Sequence, residues 1–200
     1  MLPVGYKDIH GWCTEEKAYK LMELVMVCDP TLSVELGVFA GKSLLPIGIM
    51  SKYINPKSTV VGIDAWSIEA SIKGKNGAEN DKWWSKVNYK EMFEYTKSLI
   101  VKNNIDDVIE IWNDTSKNVA SKFEDNSIDF LHQDSNHSEE NTCEEVELYW
   151  NKVKEGGYWI FNDADWPTAQ KAQKLLLSKG YTEHYNANDK WKVYLRNKTV

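Results

Sequence analysis

Four short stretches hold residues whose types and spacing could do chemistry together. The first is Val34-Glu35-Leu36-Gly37-Val38-Phe39-Ala40-Gly41-Lys42-Ser43, an apolar run that breaks into a glycine-bearing turn and then a helix-like segment. Glycines let the backbone approach a ligand closely, and a helix N-terminus offers free N–H groups. The second is Thr59-Val60-Val61-Gly62-Ile63-Asp64, a second apolar run that ends in an acid. An acid in that place is where a nucleotide ribose is usually gripped. Together the two predict a seat for an adenosine-bearing cofactor.

The third and fourth stretches are Asp134 with His137 three residues on, and the pair Asn162-Asp163. Each follows a strand-like run, so in a parallel sheet both sets lie at the same edge. His137 is a candidate base because imidazole titrates near neutral pH. It also precedes Ser138, where a helix start needs capping, so a purely local role is the alternative. Asp134, Asn162 and Asp163 offer oxygens only, a set suited to Mg²⁺ or Mn²⁺ rather than Zn²⁺. The alternative there is carboxylates that bond loops and the cofactor without metal. His132 alternates with Phe130 and Asp134 on one side of a strand and reads as a buried, hydrogen-bonded histidine. His10 and His184 carry no signal.

The elements that must hold these residues alternate along the chain. A helix starts at Thr14 and reaches Cys28, followed by a strand over Leu32–Leu36. A helix near Lys42–Tyr53 has Pro46 early in it, and the second strand is Thr59–Asp64. A helix over Trp83–Asn103 leads to a strand at Val108–Trp112. A short helix near Thr115–Ser116 precedes the strand Ile128–Gln133. A helix over Ser138–Lys154 is expected to end at Glu155-Gly156-Gly157, before the strand Tyr158–Asn162. Pro167 opens a last helix, and Tyr181–Tyr185 and Trp191–Arg196 form a closing hairpin. The predicted class is α/β: a Rossmann-like, seven-stranded, mostly parallel sheet with an antiparallel last strand and helices on both faces.

The segment at about 65–82 breaks this rhythm. Gly74-Lys75-Asn76-Gly77 is polar and glycine-rich, flanked by Trp66 and by Trp83-Trp84. Long segments of that kind are usually functional. Trp66, Trp83 and Trp84 are candidates for a lid that stacks on a sugar or aromatic acceptor, a satellite hydrophobic cluster being the alternative. Trp166 is a candidate wall of the same pocket.

The bulk numbers bound the classes. Two hundred residues, 42% hydrophobic and 27% charged, suit one globular domain spanning 1–200. A net charge of −6 argues against nucleic acid or an anionic membrane as a partner. The N-terminus has no signal-peptide pattern, and no apolar run is long enough to span a membrane. The three cysteines, Cys13, Cys28 and Cys143, are scattered and suit a reducing, cytoplasmic setting. A homo-oligomer stays open.

This layout resembles the class I S-adenosylmethionine-dependent methyltransferases, over roughly Leu32 to Arg196. Three stretches carry the resemblance: Glu35-x-Gly37-x-Phe39-x-Gly41, Gly62-Ile63-Asp64, and Ile128 to His137 together with Gly156 to Asp163. The last is similar to a subgroup acting on hydroxyls of sugars and other small molecules, some members of which use a divalent metal. The resemblance implies that Glu35, Gly37 and Gly41 line the methionine part of the cofactor, with Phe39 and Ser43 in the same turn. Asp64 would meet the ribose, and Asn113, Asp114 and Thr115 the adenine. Asp134 would lie at the centre of the site and His137 beside the substrate. Two positions depart from the pattern: Phe39 stands where many members have a second glycine, and Asn162 where metal users often have a carboxylate. Methyl transfer to a barely ionised hydroxyl needs a base or a metal. The competing readings are an NAD-dependent oxidoreductase, which Phe39 disfavours, and a non-catalytic glycan-binding module.

Overall fold

Hydrophobic periods of two and of about 3.6 residues dictate which segments become strands and which become helices. The computed structural model describes residues 1–198. Its strands are β1 (Leu32–Leu36), β2 (Thr59–Asp64), β3 (Ile109–Asn113), β4 (Ile128–Gln133), β5 (Val153–Asn162), β6 (Tyr181–Asn186) and β7 (Trp191–Arg196). They form one sheet in the order β3-β2-β1-β4-β5-β7-β6. β1 to β5 pair in parallel, and β7 runs antiparallel to both β5 and β6. The chain order reverses between β1 and β4, which opens a crevice at the carboxyl ends of the strands.

The helices are α1 (Glu15–Cys28), α2 (Leu44–Ile54), α3 (Ile68–Ser71), α4 (Ala78–Trp84), α5 (Tyr89–Lys102), α6 (Ser116–Val119), α7 (Glu139–Tyr149) and α8 (Gln170–Ser178). Two apolar layers sandwich the sheet. Leu21 and Val25 of α1, Leu44 and Ile47 of α2 and Leu99 of α5 pack with Val60, Phe130, Ile160 and Val193. Val146 and Tyr149 of α7 and Ala172 and Leu176 of α8 pack with Val61, Leu131, Trp159, Phe161 and Tyr194. Neighbouring residues of a strand thus feed opposite layers, as the pleat requires. None of these helices is long and apolar enough to cross a membrane.

Two of the expected helices differ most from those observed. The helix foreseen over Trp83–Asn103 is two helices, α4 and α5, separated at 85–88. Asn88 makes the break, because its side chain accepts from the Glu91 N–H and starts α5 afresh. The helix foreseen to reach Lys154 stops at Tyr149, and Glu155-Gly156-Gly157 lies inside β5 rather than capping a helix. The register against β4 shifts there, and a Cβ on Gly157 would sit 3.0 Å from the Asp129 carbonyl oxygen. The glycines accommodate a bulge that turn propensity alone reads as a stop.

Candidate active site

Strand parity decides which polar groups meet. Val34 and Leu36 face the layer under α7, so Glu35 faces α1. Phe130 and Ile160 face α1, so His132 on β4 and Asn162 on β5 do too. Glu35 and His132 are register partners, fully buried side by side. The first turn of α1, capped by Thr14, drops Lys17 onto them from above.

A chain of hydrogen bonds follows. Lys17 Nζ lies 3.2 Å from His132 Nε2, and His132 Nδ1 lies 3.2 Å from Glu35 Oε1, which also accepts from the Ser43 hydroxyl. Burial, aided by the Lys17 charge, pulls His132 down to about 3, so its ring is neutral. Lys17 therefore donates to Nε2, and Nδ1–H donates to Glu35. Burial pushes Glu35 up to about 8 despite the Ser43 bond. Its Oε2 has no partner, which fits a protonated carboxyl.

The glycine turn closes over the end of β1. Gly37 takes φ 87°, and a Cβ there would lie 2.2 Å from the Asp134 carbonyl oxygen. No other residue fits where the turn crosses the β4 loop. Phe39 also takes a left-handed φ, 50°, so the turn keeps the glycine-like backbone while carrying a ring. That ring sits among Trp12, Trp83 and Trp84, with centroids 5.3 to 6.0 Å away. Asp64 Oδ2 accepts from the Val38 and Phe39 N–H groups at 3.0 and 2.9 Å, and Oδ1 from Trp66 N–H at 2.7 Å. Asp64 thus fastens the turn. A carboxylate has about four acceptor positions, so one stays available for a hydroxyl.

Across the crevice, Asp134, His137, Asn162 and Asp163 converge at the ends of β4 and β5. His137 Nε2 lies 2.9 Å from Asp163 Oδ2 and 3.9 Å from Asp134 Oδ1. Asn162 Nδ2 donates to Asp134 Oδ1 at 2.6 Å and to Asp163 Oδ2 at 3.0 Å. Burial opposes the charge on His137, but the hydrogen bond and charge of Asp163 outweigh it and raise its pKa. Asp163 is lowered in turn: burial would raise it, and the His137 bond prevails. Asp134 is raised by burial, which the Lys17 charge partly offsets. A cleft of about 830 Å³ joins this cluster to Gly37, Val38, Phe39, Ser43, Asp64, Asp114 and Thr115.

The sequence of residues 34–164 matches the family described as "Methyltransferase domain". The chain belongs to that family.

Solved structures with the same fold include a methyltransferase from Geobacter sulfurreducens, 16% identical, covering 92% of this chain and 80% of its own, TM-score 0.67. The O-methyltransferase TomG from Streptomyces achromogenes, solved with SAM, is 11% identical over 96% of this chain and 83% of its own, TM-score 0.66. An O-methyltransferase from Bacillus cereus, solved with SAH, is 12% identical over 96% of this chain and 85% of its own, TM-score 0.63. No curated protein sequence matches significantly.

Not every foreseen residue of this methyltransferase domain reaches the cleft. Glu35 is buried behind the turn and acts through Ser43 and His132. Asn113 ends β3 exposed, outside the cleft, while Asp114 and Thr115 line it. Trp83, Trp84 and Trp166 line it also, and Trp166 lies 5.1 Å from the His137 ring. Trp66 is buried against Phe93, its Nε1–H donating to the Phe39 carbonyl at 2.8 Å. It braces the turn from behind rather than walling an acceptor.

The foreseen metal ligands Asp134, Asn162 and Asp163 come together, but Asn162 is not turned as a ligand; Asp134 and Asp163 have His137 beside them instead, with one ligand atom of each within 4.8 Å of the others. Asn162 Oδ1 accepts from Lys17 Nζ at 2.5 Å, and the amide nitrogen faces both carboxylates. Turning the amide over would aim N–H groups at an ammonium and its oxygen at two carboxylates.

Lys17, Trp12 and Glu145 were missed by sequence reasoning. Glu145 of α7 accepts from Ser116 and Ser135, both at 2.6 Å, and from Gln133 at 2.9 Å, clamping two cleft loops together. Capping and periodicity signals place the helices of Lys17 and Glu145 but say nothing about the partners their side chains meet, which for Lys17 lie 115 and 145 positions away.

Proposed function

We propose that this chain transfers a methyl group from S-adenosylmethionine to a hydroxyl of a sugar or other small molecule. One observation carries the reading: the Asp163-oriented imidazole of His137 lies on the same cleft as the glycine turn fastened by Asp64. Bound S-adenosylmethionine supplies an electrophilic methyl on a sulfonium that departs as a neutral thioether.

The residues have distinct tasks. The close approach of the backbone at Gly37 and the remaining acceptor position on Asp64 suit a nucleoside-bearing ligand. Asp163 holds the Nε2 proton of His137, which leaves Nδ1 as the lone-pair nitrogen. No protein group bonds Nδ1 among the described residues. Nδ1 takes the proton of the acceptor hydroxyl as its oxygen bonds the methyl carbon. Trp83, Trp84 and Trp166 flank the cleft, exclude water and offer faces to a sugar ring. The foreseen Mg²⁺ or Mn²⁺ enters no step.

Calorimetric titration of S-adenosylmethionine into wild type and Asp64→Asn tests the reading. Micromolar binding to wild type, weakened at least tenfold in the variant, is expected. A wild type that binds none of it overturns the proposal.

A further inference from the structure

Lys17 is a buried cation that the cofactor seat does not use. Its ammonium has three N–H groups and three acceptors around it: Asn162 Oδ1 at 2.5 Å, His132 Nε2 at 3.2 Å and Asp134 Oδ2 at 3.8 Å. The side chain is 8% exposed and still borders the cleft. The acceptors are a carboxamide oxygen, a neutral imidazole nitrogen and a carboxylate. A divalent ion would recruit the same donor types. Here they hold an ammonium instead.

We propose that Lys17 supplies, from α1, the fixed positive charge that a divalent ion supplies in metal-using members of the fold, and that this site is metal-independent. Three facts fit together. Asn162 stands where a third carboxylate would complete an anionic ligand set. Its oxygen is turned to Lys17. Its amide nitrogen links Asp134 to Asp163, and Asp163 has a separate donor in His137. Each carboxylate near the acceptor thus has a side-chain partner. The asparagine and the lysine belong together: an aspartate at 162 without Lys17 would rebuild an anionic pocket.

The chemical consequence is specific. A Mg²⁺ ion with open coordination positions can take two oxygens of one substrate at once, which favours a chelating acceptor such as a vicinal diol. An ammonium with two N–H groups bonded to Asn162 and His132 and a carboxylate 3.8 Å away keeps at most one N–H free, and cannot chelate two substrate oxygens as a metal ion does. It acts through its charge, lowering the energy of an alkoxide that forms nearby. The acceptor is then a single hydroxyl, with no need for a chelating neighbour. This substrate inference rests on the methyl-transfer reading; the cation-site inference does not.

The test uses Mn²⁺ alone, followed by electron paramagnetic resonance, on wild type, Lys17→Met, and Lys17→Met with Asn162→Asp. Lys17→Gln replaces Lys17→Met if that variant does not fold. S-adenosylhomocysteine binding is measured calorimetrically on the same proteins with EDTA and with Mg²⁺. Wild type is expected to bind no Mn²⁺ at micromolar concentration. Its affinity for S-adenosylhomocysteine should be the same in both buffers. The folded double variant should bind Mn²⁺ at least tenfold better than wild type, a gain that a merely structural lysine would not produce. Stoichiometric Mn²⁺ uptake by wild type overturns the proposal, and so does a folded double variant that binds no better. If wild type fails to bind S-adenosylhomocysteine while the Mn²⁺ results are as expected, the methyl-transfer reading falls and the cation-site inference stands.

Discussion

His137 Nε2 and Asp163 Oδ2 lie 2.9 Å apart across the ends of β4 and β5, each moving the other's titration. His137 is raised, so its free-base form appears only as pH climbs through that raised value. Methyl transfer is expected to rise along the same limb. Asp163→Asn removes the cause of the shift, so the limb should move to lower pH while the plateau drops by about 10²-fold. A pH–rate profile of both proteins checks this, and an unmoved limb would sink the dyad.

The same pair makes a stability prediction whose sign follows from linkage. A raised histidine contributes stability that is complete below its unfolded value near 6.5 and is lost as pH rises through its folded value. A lowered aspartate contributes above its unfolded value near 3.9 and loses that as pH falls. The pair therefore stabilises most between these limits. Asp163→Asn should cost about 1 kcal/mol at pH 6 and less at pH 9 in denaturant unfolding. An equal cost at both pH values would mean that the bond is not charge-assisted.

Glu35 behaves in the opposite sense to an ordinary carboxyl. Its folded value near 8 lies above its unfolded one, so the folded state binds more protons and stability falls as pH rises between them. Glu35→Gln keeps an acceptor for Ser43 and His132 and cannot ionise. The variant should be near neutral at pH 5 and more stable than wild type by ~1 kcal/mol or more at pH 9. Urea midpoints at the two pH values decide it; a variant less stable at pH 9 would show an ionised, paired Glu35.

Gly37 and Gly77 both take positive φ, 87° and 93°, but only Gly37 faces backbone atoms within 2.5 Å of a new Cβ. Gly77→Ala meets nothing within 4 Å and should cost about 1 kcal/mol from φ alone. Gly37→Ala must displace the Asp134 loop and should cost roughly 3 kcal/mol or more, abolishing cofactor binding. Melting curves and calorimetry on the two variants separate strain from collision. Equal costs would contradict the close crossing.

Asn136 holds the insert. Its Nδ2 donates to the carbonyls of Ala70, Ser71 and Lys73 at 2.9 to 3.0 Å, binding the 68–73 backbone to the loop after β4. Asn136→Ala should loosen that segment, so trypsin should cut at Lys73 or Lys75 at least tenfold faster, with little change in melting temperature. An unchanged cleavage rate would mean that α3 and α4 hold the insert unaided.

What the sequence made legible follows from range. β2, β4 and β7 match their expected limits because alternation and apolar runs are local signals. Gly37, Asp64, Asp134 and His137 stand at strand ends, and a parallel sheet brings such ends to one edge. Lys17 was illegible for the opposite reason. A lysine at the third position of a helix looks like ordinary solvated surface. Only the packing of α1 over the Glu35–His132 face buries it. Trp66 was misjudged because aromatic type and loop position do not reveal which side of the loop the ring takes. The glycine pair at 156–157 was misplaced because a bulge and a helix cap use the same residue.

Phe39 joins the glycine turn to the aromatic rim of the cleft through a single residue. Its carbonyl receives Trp66 and Thr96, its N–H is held by Asp64, and its ring meets Trp12, Trp83 and Trp84. The glycine turn and the aromatic rim of the cleft therefore share a single joint. Two ligands that order the same joint cannot bind independently: whatever factor one adds to the other's affinity is returned in equal measure. A glycine at this position would keep the left-handed turn and lose the ring that reaches the rim.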